Sequence, residues 1–518
     1  MSDEHKQTEQ IGKKLATQSP WFLIAFMLHV VGVAVASIVY YVHESATDDS
    51  TPTEISVAQA PPPVEQIQPP EIVDRNRDVP KLAYEEITPT DSTEFTPDDT
   101  DNPERGDTTD RDADLFFLQS GDSPGGSAIA PNGPGYYGLA PSPRGGHHPG
   151  GGKYGERFGD GKNSSAPHRR INEAVTAAFE WLRRHQDEDG HWDCDGFMKH
   201  DVDGAPCTGP GNGANDVGVT GLALLAFLGA GNTMREGPYR KNVRRGVRWL
   251  LEQQNENNGL LGTNASQSYV YSHAIAATAL CEAYGLSDML PSLKKPAQQA
   301  VNFIAYARNP YGVWRYEPRV TDGDTSITGW MVQALLSAKE FQLDVDDAAL
   351  KSALVFFDGV SDPTTGAAGY TKPGEGSSRA VGKGDKFPNN RTEALTAVVL
   401  LCRYLMHQDP KETRIMAPAA ETIMRKPPVW NENDGSIDMY YWYYGSYAMY
   451  QVGGRQWITW STKLTDAALK TQQKDGNAKG SWDPVDAWGE DGGRVYSTAI
   501  MALCLEAYYR YAQVSFAR

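Results

Sequence analysis

From about His168 to Gln513 the apolar positions recur with a helical period, and two kinds of helix alternate. The first kind is amphipathic, as in AVTAAFEWLRRHQDEDGHW, GVRWLLEQQNENNGLL, AVNFIAYARNPYGVW and DAALKTQQKDGNAKGSW. Each of these runs into a polar turn, then a Gly with an aromatic or apolar residue two positions on. The second kind is apolar on most sides and rich in small residues, as in VGVTGLALLAFLGAG, SHAIAATALCEAYG, TEALTAVVLLC and VYSTAIMALCLEAY. A helix apolar on most sides has to be surrounded by protein, whereas an amphipathic one can show a polar face to water. The second kind therefore predicts an inner ring and the first an outer ring. Helices are predicted at 169–186, 216–230, 238–254, 270–285, 295–308, 324–340, 346–358, 391–406, 414–426, 438–452, 455–473 and 494–513. Six such helical hairpins close into an all-α (α/α)6 toroid spanning 168–518, in which the Gly of each turn permits a left-handed backbone.

Gln186, Gly190 and Trp192 reproduce the Gln-x3-Gly-x-Trp signature of the squalene and oxidosqualene cyclases. Gly312 with Trp314 and Gly480 with Trp482 are partial copies, and Gly259 with Leu261 is a degenerate one. The region from about 168 to 513 resembles the repeat family shared by those cyclases and the protein prenyltransferase β subunits. The resemblance implies the toroid and a central cavity. Cyclase chemistry would need an Asp-x-Asp-Asp-Thr-Ala segment at the mouth of an inner helix, its middle Asp acting as a strong acid among aromatic faces that stabilise cations. Asp344 to Ala349 matches that string but opens an outer helix, where acidic residues suit the N-terminus. Asp322 and Asp324 stand at the right place, yet the proton-donor position falls on Gly323. In prenyltransferases an Asp-x-Cys pair and a later His hold zinc. Here Asp322 and Asp324 replace the pair with hard ligands, and His273 lies too early in the chain. Neither resemblance implies a metal or a cofactor for this chain. Asp322, Asp324 and His273 all begin inner helices, which leaves two readings: they meet at one rim of the barrel, or they cap helices and tie loops.

Aromatic residues argue for a ligand. Tyr440, Tyr441, Trp442 and Tyr444 crowd one inner helix, and Trp330 and Tyr496 stand on others. An aromatic-lined lumen suits an isoprenoid, a glycan or a protein segment. Part of the set is expected to serve repeat packing alone.

The chain ahead of the toroid differs in kind. Residues 1–20 precede an apolar run, Trp21 to Val42, long enough at about 1.5 Å per residue to cross a ~30 Å hydrocarbon core. Lys6, Lys13 and Lys14 precede it and no Lys or Arg follows until Arg75, so the N-terminus is expected inside and the rest outside. A cleaved signal peptide ending near Ala34-Val35-Ala36 is the rival reading. Residues 43–167 are acidic and Pro-rich, then Gly-rich, and cannot bury enough apolar area to fold alone. Of the formal charge of −18, the stretch from Glu44 to Asp122 supplies −16, with 21 acidic and 5 basic side chains. The acidity thus belongs to a tether with a reach of about 60 Å, by the scaling of about 5–6 Å times the square root of its length. No basic stripe interleaved with aromatics occurs, which argues against a nucleic-acid partner.

Five cysteines all fall in the helical region. Cys281, Cys402 and Cys504 lie in apolar helices and suit core packing. Cys194 and Cys207 flank a polar loop with Asp193, Asp195, His200, Asp201 and Asp203. That loop reads as stapled by a Cys194–Cys207 disulfide and solvated, or as a calcium site. The function expected is that of a membrane-anchored extracytoplasmic toroid binding a ligand in its lumen, without standard cyclase chemistry. The alternative is a divergent terpenoid-cyclase-like or glycan-acting enzyme using Asp322 and Asp324.

Overall fold

The computed structural model describes residues 166–378 and 383–514, with side chains from His168 onward. The expected cytoplasmic segment and membrane span (1–20 and 21–42) lie outside the described residues, as does the expected tether (43–167) up to residue 165; its last two residues belong to the first helix. Among the described residues, no helix is long and apolar enough to cross a membrane.

The chain runs through α1 (Ala166–Arg184) and α2 (Asp216–Gly229), then α3 (Arg240–Glu252) and α4 (Tyr269–Leu286). Next come α5 (Pro291–Ala307) and α6 (Thr325–Glu340), followed by α7 (Asp347–Val360) and α8 (Glu393–Leu405). The last pairs are α9 (Met416–Met424) with α10 (Met439–Val452) and α11 (Gly454–Thr471) with α12 (Gly489–Leu505). A final turn, α13 (Ala507–Arg510), completes it. The expected helix 494–513 thus starts earlier and ends in a separate turn. Among the described residues there is no strand, only isolated bridges pairing Gln254 with Leu261 and Ser361 with Ala368.

Each even-numbered helix packs on the next, α2 on α4, α4 on α6, and so on to α12, which returns to α2. That closed circuit is the inner ring of an α/α toroid. The odd-numbered helices lie outside it, α1 against α12, α3 against α2, and α11 against both α10 and α12. Inner helices are buried along nearly their whole length; in α4 every residue from Ser272 to Leu286 is buried. Asp346 caps α7 through the Ala348 N–H at 2.9 Å, the outer-helix role its position implied.

The repeat signature is a clamp between neighbouring outer helices. Gln186 Nε2 donates to the Gly190 carbonyl (2.7 Å) and to the Asn242 carbonyl of α3 (3.0 Å), and Asn242 Nδ2 donates back to Gln186 Oε1 (2.7 Å). Gly190 has φ of +108°, and a Cβ there would lie 2.4 Å from the Arg245 carbonyl oxygen, so only glycine fits. Trp192 plugs the gap behind it, fully buried, its indole N–H on the Leu182 carbonyl at 2.8 Å. Burying one such side chain contributes about 4–6 kcal/mol of gross transfer free energy, from ~150–250 Å² at ~25 cal/mol/Å². Gln254 repeats the reach onto the Pro296 carbonyl of α5 (2.9 Å). Ser352 of α7 donates to the Gly312 carbonyl (2.6 Å), and Trp314 is buried like Trp192. At the last turn Gln472 Nε2 donates to the Ala174 carbonyl of α1 (2.7 Å), and Gly480 sits against Ala177 of the same helix. Trp482 fills that turn. The last repeat clasps the first, and the ring is closed.

The far end of the barrel is plugged by a buried ion cluster. Arg510 of α13 pairs with Glu282 of α4 (2.7 Å) and Glu506 (3.3 Å), and donates to the Leu225 carbonyl of α2. Tyr511 adds a hydroxyl to Glu282 Oε1 at 3.1 Å. Removing one partner of such a cluster strands buried charge. Arg510→Met should therefore cost about 3–5 kcal/mol of unfolding free energy, measured by denaturant titration of far-UV circular dichroism.

Candidate functional site

The inner ring encloses a cavity of about 920 Å³. Its walls come from the first halves of the inner helices and from the loops that lead into them. Deepest along those helices lie Val219, Leu222, Ile275, Trp330 and Ile500, an apolar floor. The mouth is polar, with Asn212, Asn215, Gln267, Arg315, Glu317 and Asp322. Between the two runs a belt of phenols and hydroxyls.

The belt occupies the second or third residue of three inner helices, Tyr271 on α4, Ser326 on α6 and Tyr440 on α10, and adds Tyr496, three residues past the left-handed Gly493 in α12. Its hydroxyls are paired within the wall, that of Tyr496 with Asp486 and the others with one another. Tyr271 meets Ser326 at 3.1 Å, and Ser326 meets Tyr440 at 2.8 Å. Tyr316, also on the wall, meets the Tyr370 hydroxyl at 2.8 Å. A ligand in the lumen therefore faces rings more than free hydroxyls.

Asp322 and Asp324 part company. Asp322 stands at the mouth, half-exposed, paired with Arg315 at 3.2 Å. Asp324 is fully buried as the N-cap of α6, Oδ1 accepting from the Ile327 N–H (2.9 Å) and Oδ2 from the Tyr370 hydroxyl (3.2 Å). Burial pushes its pKa up to about 6, opposed by the Ile327 N–H, Arg315 and Tyr370. The donor position of a cyclase is closed sterically as well: a Cβ on Gly323 would lie 2.4 Å from Val313 Cγ2.

His273 does not join them. Its Nδ1 accepts from the Leu261 N–H (3.0 Å) and its Nε2–H donates to the Ala300 carbonyl (3.1 Å). Burial lowers its pKa to about 4. Thr220 and Thr396 accept from the turn amides of Trp192 and Ala368 in the same manner, so His273 is the second repeat's version of that tie. Of the aromatic candidates, Trp330, Tyr440 and Tyr496 line the lumen. The other three lie within the protein wall. Tyr441 turns outward, its hydroxyl on the Ile423 and Lys426 carbonyls; Trp442 packs near Trp430; Tyr444 is held by Gln333 at 2.9 Å. Cys194 and Cys207 are both free. Cys194 Sγ donates toward the Gly492 carbonyl (3.2 Å), while Cys207 Sγ lies 3.9 Å from His185 Nε2, so packing holds the two thiols on different partners.

Residues 163–269 match the family model of the squalene-hopene cyclase C-terminal domain. The toroid is squalene-cyclase-like. No curated protein matches the chain. Solved structures similar to it include cellobiose 2-epimerase from Bacillus thermoamylovorans B4167, 15% identical, covering 66% of this chain and 98% of that one, TM-score 0.47. The type II terpene cyclase MstE from Scytonema, with geranylgeranyl dihydroxybenzoate, is 12% identical over 66% and 97%, TM-score 0.44. The α-1,6-mannanase GH76A of Salegentibacter sp. HEL1_6 is 12% identical over 65% and 99%, TM-score 0.47.

The lumen and the wall behind it contain groups that no motif marks. Tyr271, Arg315, Tyr316 and Tyr370 belong to no string, although the position of Tyr271 at the start of an inner helix is itself a signal. Asp486 lies behind Tyr496, accepting from its hydroxyl (3.2 Å) and from the Met439 N–H (3.0 Å). Burial, with Asp438 nearby, raises its pKa to about 7. A carboxyl whose pKa rises on folding binds more protons folded than unfolded, so its contribution to stability falls as pH climbs from about 4 to about 7. The Tm difference between the protein and its Asp486→Asn variant should change across that window and be flat on either side, as read by calorimetry at stepped pH.

Proposed function

We propose that the toroid is a binding module for an isoprenoid-type amphiphile, its hydrocarbon in the floor of the lumen and its polar end at the mouth. The observation that carries this reading is the split lining: aliphatic side chains and Trp330 below, a phenol belt with hydroxyls already paired, and amides and charges above. A volume of about 920 Å³ suits a single small ligand, whose pockets run to roughly 300–1,000 Å³. Glycan recognition calls for hydroxyls and amides free to hydrogen-bond, and here the amides gather at the mouth while the phenol hydroxyls of the belt are already paired. Standard cyclase chemistry lacks its acid at Gly323, and Asp324 is committed to capping α6.

The reading extends to the whole chain: residues 21–42 anchor it in a membrane, and residues 43–167 hold the toroid on the extracytoplasmic side. Such an arrangement keeps the lumen near lipid. A second reading, an enzyme, is favoured by one observation, the Asp324 pKa of about 6 beside Tyr370. Asn caps a helix as well as Asp does, so Asp324→Asn keeps the fold.

Geranylgeraniol titrated into the full chain should quench indole fluorescence with saturation, whereas a linear oligosaccharide should not. Ile275→Asn, which puts an amide into the floor at a cost of about 1–3 kcal/mol, should weaken that affinity about tenfold or more. Asp324→Asn should leave it unchanged. Saturable binding of the sugar alone would hand the lumen to glycans, and turnover lost in Asp324→Asn would favour the enzyme.

A further inference from the structure

Outside the lumen, three ligating side chains meet where α1 ends. His185 closes that helix, Asp201 follows the 3-10 turn Phe197–His200, and Cys207 lies six residues on. Their ligating atoms all lie within 4.8 Å of one another. His185 Nε2 is 3.1 Å from Asp201 Oδ1 and 3.9 Å from Cys207 Sγ. His185 and Cys207 are buried, and only 8% of the Asp201 side chain is exposed.

The hydrogen bonds around the cluster leave a positive charge missing. His185 Nδ1 is 2.8 Å from the Trp181 carbonyl, which only accepts, so that nitrogen must carry a proton. In the neutral imidazole Nε2 is then a bare lone pair, and it faces a carboxylate oxygen, a second acceptor. Two acceptors at 3.1 Å need a proton or a metal ion between them. A ring N–H on a backbone carbonyl is also the support that metal-binding histidines have.

Other contacts hold the ligands in place, and the Cys207 thiol hydrogen-bonds the Asp201 carboxylate, a contact whose proton the metal would replace. Asp201 Oδ2 accepts from the Cys207 N–H at 2.6 Å, leaving Oδ1 for His185. Arg494 donates to the Thr208 carbonyl at 2.7 Å, fixing the chain beside Cys207. In a tetrahedral zinc site the N···O edge is about 3.3 Å and the S···N edge about 3.6 Å, from bonds of roughly 2.0–2.3 Å. The separations of 3.1 and 3.9 Å lie close to those edges.

We infer that His185, Asp201 and Cys207 form a zinc-binding site, with the thiol bound as thiolate and the fourth position left to water. The thiol proton leaves to solvent as the metal enters, so binding releases one proton. The site pins the loop between α1 and α2 to the end of α1, away from the lumen, and it does not depend on what the lumen binds.

The test is titration of the full-length reduced chain, freed of metal by a chelator, with cobalt(II) and then zinc(II). One cobalt per chain should give a thiolate-to-cobalt charge-transfer band, which zinc should bleach. Cys207→Ser should abolish that band and weaken zinc binding about 100-fold or more, and Asp201→Asn should weaken it while keeping the band. His191 belongs to two adjacent clusters, with Asp187 and Asp189 and with Asp193 and Asp216, so His191→Ala should change neither band nor affinity. A wild-type chain that shows no charge-transfer band overturns the site, since that measurement needs no variant to fold. A band that survives in Cys207→Ser, or vanishes in His191→Ala, overturns it equally.

Discussion

The turn clamp between successive outer helices is the constraint on which the rest of the molecule depends. A glutamine at the end of one outer helix reaches the backbone of the next, and a left-handed glycine lets the two chains touch. Gln186 does this to α3, Gln254 to α5, and Gln472 to α1. Each clamp fixes the angle between neighbouring hairpins by a few short hydrogen bonds, and a buried side chain, Trp192, Leu261 or Trp482, fills the wedge they leave. When the last clamp lands on the first helix, the sum of those angles is a full turn. The Gln472 contact on Ala174 joins the packing of α12 on α2 and α1 in closing the ring, and closure is what encloses the lumen.

Closure decides what the inner helices can be. Each contacts two inner neighbours and at least one outer helix, so it has no polar face to show. Only the first turns escape, because there the ring opens into the cavity. Polar and aromatic groups collect at that end, in the belt of Tyr271, Ser326, Tyr440 and Tyr496. The opposite end is sealed by Arg510 between Glu282 and Glu506. The lumen is a cup with a wet rim and a dry floor, a shape that suits an amphiphile entering tail first.

The contrast between Asp322 and Asp324 shows how fine the positioning is. Two residues apart, one is half-exposed beside Arg315 and the other is sealed behind Tyr370 as a helix cap. Capping requires the side chain to fold back onto the Ile327 amide, which turns it away from the cavity. The same loop places Gly323 against Val313, so no acid fits at the position between them. The α/α toroid here surrounds a wall without the acid of standard cyclase chemistry at Gly323.

The reach of Gln186 onto Asn242 of α3 was hidden, but helix order, the division into inner and outer rings, and the Gln186, Gly190 and Trp192 signature were all legible in the chain. They rest on periodicity and on short-range steric rules that act within a few residues. The α7 cap at Asp346 was legible for the same reason. Which aromatic residue meets the lumen was not, because an inner helix is apolar on every side and its periodicity marks no preferred face. Tyr440 lines the cavity while Tyr441, Trp442 and Tyr444 lie in the wall, a difference set by rotation within the closed ring. The role of His273 as a loop tie was one of two readings the chain left open, and that of Cys207 as a neighbour of His185 was hidden. Both depend on contacts across loops whose paths only the assembled toroid determines.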